Sequence, residues 1–264
     1  MYDFTYSKAG SVADAVKALG ADMEAKVIAG GMTFIPVLKQ RLNRPSAVID
    51  LAGAKGLVGI THEAGKITIG AMTTHAAVAA DAGIAKSLPG LSYLAAHIGD
   101  NQVRNRGTIG GSLANNDPSA CYPSAVLALN ATIVTDRRRI AADDYFQGMF
   151  TTALEPDEII TAVEFPIVEK SAYVKFPNPA SRYAMVGVFV AKAGDTVRVA
   201  VTGAGQNGVF RLTEAEQALS KSFTPDAVAG IKVSPDGLNS DIHASAEYRA
   251  HLITVMTKRA VAAA

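Results

Sequence analysis

RNRGTIGGSLANNDPSACYP, residues 104 to 123, places a paired glycine, a serine, two asparagines and an aspartate directly behind two arginines. Adjacent glycines such as Gly110 and Gly111 disfavour a helix, each costing about 1 kcal/mol relative to alanine. Paired glycines also remove the side chains that keep a ligand from the backbone, and they allow successive N–H groups to converge. A second segment, Val27-Ile28-Ala29-Gly30-Gly31-Met32-Thr33, has the same texture. In both, a strand-like apolar stretch leads into the glycine pair and then into polar or helix-starting residues. A helix start adds unpaired N–H groups and a positive dipole end, which suits a diphosphate. Neither segment has a Walker lysine, so a nucleoside triphosphate with magnesium fits poorly and a dinucleotide fits better. Gly30 and Gly110 lie 80 positions apart. The repeated design predicts a clamp on one ligand from two parts of the chain.

The rest of the composition bounds the answer. The 264 residues can bury a sizeable core in one large domain or two. Apolar residues make up 49% and charged residues 19%, which argues against disorder. A net charge of +1 supplies no long-range field for nucleic acid or an anionic membrane. Arg137, Arg138 and Arg139 form the only basic run and read as the solvated tip of a hairpin. MYDFTYSK, at residues 1 to 8, has no signal-peptide pattern, and the longest apolar run, Tyr183 to Ala191, is too short to span a bilayer. A cytoplasmic protein without a membrane span is expected. Cys121 is the only cysteine, so the chain can form neither an internal disulfide nor an all-cysteine cluster or zinc site.

Patterning predicts a capped helix from Ser11 to Leu19, a strand at 26–29, a helix at 33–42 and a strand at 47–51. Strands at 57–60 and 66–71 follow, around a turn at 62–65, with a helix from Thr73 or Thr74 to Ala80 and another at 91–98. Tyr122 to Ala131 reads as a helix and 132–135 as a strand. Beyond Glu158 the texture becomes strand-rich: 159–165, 172–176, 184–191 and 196–202, with a turn at 193–195. Helices at 212–219 and 245–262 complete the chain, and a boundary is expected between Pro166 and Ser171. Gly203-Ala204-Gly205-Gln206-Asn207-Gly208 matches the dinucleotide fingerprint GxGxxG. That fingerprint needs a second strand ending in an acidic residue about twenty positions on. Asp226 instead sits inside a helix-like stretch, so the segment reads as a turn.

Three stretches together identify a resemblance. VIAGGMTFIPVLKQRL (27–42), ITIGAMTTHAAV (67–78) and IGDNQVRNRGTIGGSLANNDP (98–118) resemble the FAD-binding medium subunit of the molybdenum hydroxylases, the family of xanthine dehydrogenase, carbon monoxide dehydrogenase and aldehyde oxidoreductases. The likeness runs along the whole chain. It implies an α+β fold: a vanillyl-alcohol-oxidase (PCMH)-type FAD-binding domain of two α/β subdomains, then a C-terminal domain of antiparallel sheet and helices. The implied bounds are 1–168, with subdomains of about 1–56 and 57–168, and 169–264. Residue by residue, the resemblance makes Ala29, Gly30, Gly31, Met32 and Thr33 one pyrophosphate segment, and Thr108, Gly110, Gly111 and Ser112 the other. Ile98 and Gly99 match positions lining the flavin, and Tyr183 an aromatic position beside its ring. Asp117 is the implied polar contact. Cys121 stands where the family carries an acidic FAD contact, and Arg182 where many members have aspartate. A thiol cannot replace a carboxylate as an acceptor.

The resemblance further implies non-covalent FAD in an electron-transfer subunit of a heterotrimer. A large partner would hold a molybdenum–pterin centre and a small partner two [2Fe-2S] clusters, assembled as a dimer of heterotrimers. Electrons from the clusters would reach FAD and leave to an external acceptor such as NAD or a quinone. The single cysteine agrees, since no cluster could sit in this chain. None of His62, His75, His97, His243 and His251 has a metal-site spacing, and only His97 adjoins the flavin-lining stretch. Two alternatives stay open here: a free-standing FAD-dependent oxidoreductase of the same fold, and a non-flavin NAD-binding or adaptor module.

Overall fold

The computed structural model describes residues 1–264. The chain opens with β1 (Thr5–Lys8), α1 (Val12–Ala21), β2 (Lys26–Ile28), α2 (Phe34–Lys39) and β3 (Ala47–Asp50). Ser11 caps α1 by accepting the Asp14 N–H at 3.1 Å, which satisfies one of the free donors of the first turn. β3 lies between β1 and β2 and pairs parallel with both, the connections passing through α1 and α2. Ala15, Leu19, Ile49 and Leu51 form the core of this part.

Two strands follow, β4 (Ile60–Glu63) and β5 (Lys66–Gly70), then six short helices: α3 (His75–Ala80), α4 (Ala82–Ser87), α5 (Pro89–Ala96), α6 (Asn101–Arg106), α7 (Ile109–Asn115) and α8 (Tyr122–Ala128). After them come β6 (Thr132–Thr135), β7 (Arg139–Ala141), α9 (Ala142–Tyr145), the small hairpin β8 (Phe146–Gly148) and β9 (Thr151–Thr152), and β10 (Ile160–Pro166). The second sheet has the order β4-β5-β10-β6-β7 and is antiparallel throughout. Its inward residues Ile67, Ile69, Ile133, Val163 and Phe165 pack against Leu91, Leu94, Leu113 and the wholly buried α8.

The third sheet, β11 (Lys170–Pro177), β12 (Ala184–Ala193), β13 (Thr196–Thr202) and β14 (Phe210–Arg211), is an antiparallel meander. Helices α10 (Thr213–Lys221) and α11 (Ala246–Ala263) complete the chain. β12 is apolar and buried at every position from Ala184 to Ala191. Such a run without alternation belongs to a strand covered on both faces. Phe189, Ala191 and Ala200 join the core of the helical layer. Val186, Val188 and Val190 pack instead with Leu252, Ile253 and Met256 of α11.

The architecture is the α+β one expected, with local differences. The predicted strand at 57–60 starts later, at Ile60, and runs on to Glu63, which shortens the turn to Ala64-Gly65. Leu57 is not paired in the sheet; it is buried, and its carbonyl accepts the Met72 N–H at 2.7 Å. α2 stops at Lys39, and Arg41 is left-handed at φ 60°. α8 stops at Ala128, and Asn130 takes φ 52°. The 203–208 segment is a turn, with Gly203 and Gly208 at φ 83° and 98°, and its sheet contains no parallel pair. That rules out a doubly wound nucleotide fold for this part.

The arginine run does more than solvate a hairpin tip. Arg137 pairs with Asp157 at 3.1 Å, and Arg139 with Glu164 at 2.7 Å. Arg138 reaches Glu158 at 2.7 Å, and the Glu158 side chain is 0% exposed. The same carboxylate accepts the Thr135 hydroxyl at 2.7 Å and the Glu155 N–H at 3.0 Å. The Arg138 hydrogen bonds, followed by these others, hold Glu158 at a pKa of about 2 against the ordinary 4.5. A depressed folded-state pKa contributes stability above the unfolded value and loses it as pH falls toward the folded one. Glu158→Gln is therefore expected to lower stability at neutral pH by about 2 kcal/mol, the scale of hydrogen bonds to a charged group. In thermal melts of both chains, the gap should be constant above about pH 5 and close as pH falls from 4.5 toward 2.

Candidate functional site

One cavity of about 640 Å³ opens where the first sheet, the α6–α7 region and the third sheet meet. All the residues that the resemblance assigned to FAD line it: Ala29 to Thr33, Ile98 and Gly99, Thr108, Gly110 to Ser112, Asp117 and Tyr183. The two glycine segments touch. A Cβ on Gly30 would lie 1.9 Å from the Arg106 carbonyl oxygen, and one on Gly111 would lie 3.5 Å from the Ala29 Cβ.

The two segments work differently. β2 leads into Gly30 as expected, and Gly31 takes φ 72°, a conformation that favours glycine. No strand precedes Gly110. Helix α6 ends at Arg106, and Gly110 and Gly111 sit in the first turn of α7, so the strand-to-glycine reading of this segment is corrected. Neither Gly110 nor Gly111 has positive φ. Gly110 is required by packing: a Cβ there would meet the Ala71 Cβ at 2.6 Å and the Ala71 oxygen at 2.8 Å. Thr108 caps α7, its hydroxyl accepting from Gly111 N.

The donors divide accordingly. Around the second pair, Ile109 N–H goes to Thr73 O, Gly110 N–H to Ala71 O at 2.8 Å and Gly111 N–H to the Thr108 hydroxyl at 3.1 Å. These backbone groups are committed internally, contrary to the expectation that they face a ligand. In the first segment, the N–H groups of Gly30, Gly31, Met32 and Thr33 donate to no protein acceptor. Successive free N–H groups at a glycine turn form an anion-binding concavity. The second segment supplies shape and the Ser112 side chain, which also lines the cavity.

At the other wall, Gly99 turns at φ 49° and Arg104 donates to the Ile98 and Gly99 carbonyls at 3.0 and 3.3 Å. Arg104 thus braces the backbone. Asn116, left-handed at φ 42°, ends α7 and donates to Gly148 O and Thr151 O, tying the β8–β9 hairpin to the helix. Asp117 accepts the Ser119 N–H at 2.8 Å. Tyr183 is half-exposed at the rim; burial and then the Asp117 carboxylate raise its phenol pKa. Cys121 is buried and lines the cavity beside Lys175, Nζ to Sγ 3.7 Å.

Sequence reasoning set His97 apart, yet His97 does not line the cavity; its ring stacks on Tyr93 at 3.9 Å between centroids. His75, the histidine that does line it, was grouped with the scattered ones. Burial, with Arg104 adding to it, lowers its pKa to about 4, so the ring is neutral at neutral pH. The TTHAAV context held the clue: Thr74 caps α3, which places His75 in the first turn beneath Gly107. No group of three or more histidine, cysteine or carboxylate side chains could hold a metal.

Residues 2–168 match the family model described as the FAD binding domain in molybdopterin dehydrogenase. The nicotine 6-hydroxylase medium subunit of Paenarthrobacter nicotinovorans is 37% identical over 270 residues, covering 97% of this chain and 95% of that one. The carbon monoxide dehydrogenase medium chain of Hydrogenophaga pseudoflava is 33% identical, covering 99% and 96%. A chain of quinoline 2-oxidoreductase from Pseudomonas putida 86 superposes with a TM-score of 0.91 at 31% identity, over 100% of this chain and 97% of that one.

The glycine contacts separate packing from ligand access. Gly30→Ala and Gly110→Ala, whose new methyl groups meet backbone, are each expected to cost about 1–3 kcal/mol or more, the range for overpacking. Gly111→Ala meets side chains and not backbone, the Thr108 hydroxyl at 2.9 Å and the Ala29 methyl, so its loss should be smaller, about 1 kcal/mol, the scale of a disturbed N-cap. Denaturant midpoints of the three variants against the parent check the ranking.

Proposed function

This chain belongs to the family of FAD-binding domains of molybdopterin dehydrogenases, as a medium subunit, and from that membership we propose that it is the electron-transfer flavoprotein of a heterotrimeric molybdenum hydroxylase. The large partner holds the molybdenum–pterin centre and oxidises substrate. The small partner carries two [2Fe-2S] clusters, and the complex is a dimer of heterotrimers. Bound FAD supplies the redox chemistry, taking up electrons from the clusters and giving them as a pair to an external acceptor.

The polypeptide's part is to bind and to orient. The observation that carries the reading is the row of N–H groups from Gly30 to Thr33 that donate to no protein acceptor, in residues that line the same cavity as Ser112. Those donors would hold the diphosphate, with Ser112 adding its hydroxyl. Ile98 and Gly99 would flank the ring from one wall and Tyr183 from the rim. Asp117 keeps acceptor capacity beyond its bond to Ser119 N and would take a ligand hydroxyl or N–H. The cavity walls hold no pair of groups arranged for substrate activation: His75 is neutral, and Glu158 is held ionised by Arg138. The isolated chain should therefore leave its flavin oxidised when offered the complex's substrate.

The test is purification of the tagged chain from its native host. The expected preparation is yellow, with one FAD per chain released by denaturation, and it carries molybdenum and iron with two further subunits. Gly111→Val, which fills the cavity floor rather than meeting backbone, should still fold and lose more than nine-tenths of its FAD, read as flavin absorbance per chain. A colourless parent overturns the assignment. Full flavin content in Gly111→Val removes the glycine clamp from it. Substrate-driven bleaching of the isolated chain points instead to a free-standing oxidoreductase.

A further inference from the structure

Lys175 lies on β11 and lines the cavity. Its ammonium has three N–H donors. They face the His97 carbonyl at 2.6 Å, the Arg182 carbonyl at 2.9 Å and the Cys121 sulfur at 3.7 Å. Each partner belongs to a different stretch of wall: the end of α5 leading into Ile98 and Gly99, the start of α8, and the loop that ends at Tyr183. The two carbonyls are neutral, and none of the chain's salt bridges reaches Lys175. The His97 carbonyl closes the C-terminal end of α5, whose dipole favours a cation there.

Lys175 is thus held in place with a positive charge that no carboxylate neutralises. With its donors engaged, it acts on a ligand through space. The other charged groups of the wall are differently disposed. Asp100 and Asp117 accept backbone N–H groups, Glu158 is paired with Arg138, and Lys26 and Arg182 sit on the first-sheet side and in the Tyr183 loop.

Charge balance gives the consequence. When oxidised FAD takes up two electrons and one proton, its ring system gains one negative charge. A fixed cation nearby favours the reduced form over the oxidised one, and does so more strongly in a partly buried wall than in water. We infer that Lys175 raises the reduction potential of FAD in this cavity, biasing the subunit toward accepting electrons. The inference rests on the proposed placement of the flavin ring between Ile98, Gly99 and Tyr183.

Spectroelectrochemical titration of the chain as it purifies with FAD tests this, with Lys175→Met and Lys175→Arg beside the parent. Methionine keeps length and removes charge; arginine keeps the charge. Lys175→Met should lower the midpoint potential by at least a factor of ten in the equilibrium, about 30 mV for a two-electron couple. Lys175→Arg should stay within a third of that change. Flavin per chain, measured on the same samples, separates this role from cofactor binding. An unshifted potential in Lys175→Met at full flavin content overturns the tuning role and leaves the FAD site standing. Equal shifts in both variants overturn it as well, because only the clamp and not the charge is then common to them. Loss of FAD from Lys175→Met alone overturns it too, by assigning the charge to binding. A parent chain without FAD overturns the underlying placement instead.

Discussion

The close approach of Gly30 to the Arg106 carbonyl sets the geometry of everything around it. A Cβ at that position would lie 1.9 Å from the oxygen, about half the separation that two packed heavy atoms prefer. The first sheet and the helical layer of the second can therefore meet backbone to backbone only where the side chain is missing. That contact brings the free N–H groups of Gly30 to Thr33 opposite the first turn of α7. With a side chain at position 30, the two halves of the clamp would be forced apart.

The fold spends its backbone hydrogen bonds unequally across this contact. The second glycine segment is internally satisfied, through Thr73, Ala71 and the Thr108 cap, and so forms a rigid floor. The first leaves its donors without protein partners, in residues that line the cavity. An open N–H costs little while water can reach it, and it becomes valuable when an anion replaces that water. One segment has its donors satisfied within the protein and the other does not. The same economy appears at Arg104, which is committed to the Ile98 and Gly99 carbonyls and fixes the turn.

Much of this was legible in the sequence, for identifiable reasons. The strands at 132–135 and 196–202 were placed at their bounds because their apolar residues and flanking turns carry the signal locally. The glycine pairs marked the cavity because two segments eighty positions apart share one design, where either alone reads as a tight turn. The reason for Gly110 was not legible. Its neighbour is Ala71, thirty-nine positions away, so a demand for space looked like a demand for an unusual backbone conformation. α6 and α7 do not show in the sequence because short helices containing Asn and Gly have weak intrinsic propensity; the Asp100 and Thr108 side chains cap them, and α7 also buries Ile109 and Leu113. Lys175 reads as an ordinary outward residue in a strand. Only the docking of α5 and α8 on that sheet adds the His97 carbonyl and the Cys121 sulfur to the Arg182 carbonyl of the neighbouring loop around its ammonium.

The cavity is walled by parts that draw on three hydrophobic clusters. Ile49 and Leu51 belong to one cluster, Ile109 and Leu113 to a second, and the sheet that presents Tyr183 shares residues with the second and a third. A ligand held by all of them binds only while they are docked. Its binding free energy then adds to the docking free energy by the ordinary linkage relation, about 2.7 kcal/mol at a free concentration of one hundred times Kd. The glycine contact and the cofactor are accordingly not separate features. The first permits the parts to approach this closely, and a diphosphate bound across them, as proposed, would hold them at that distance.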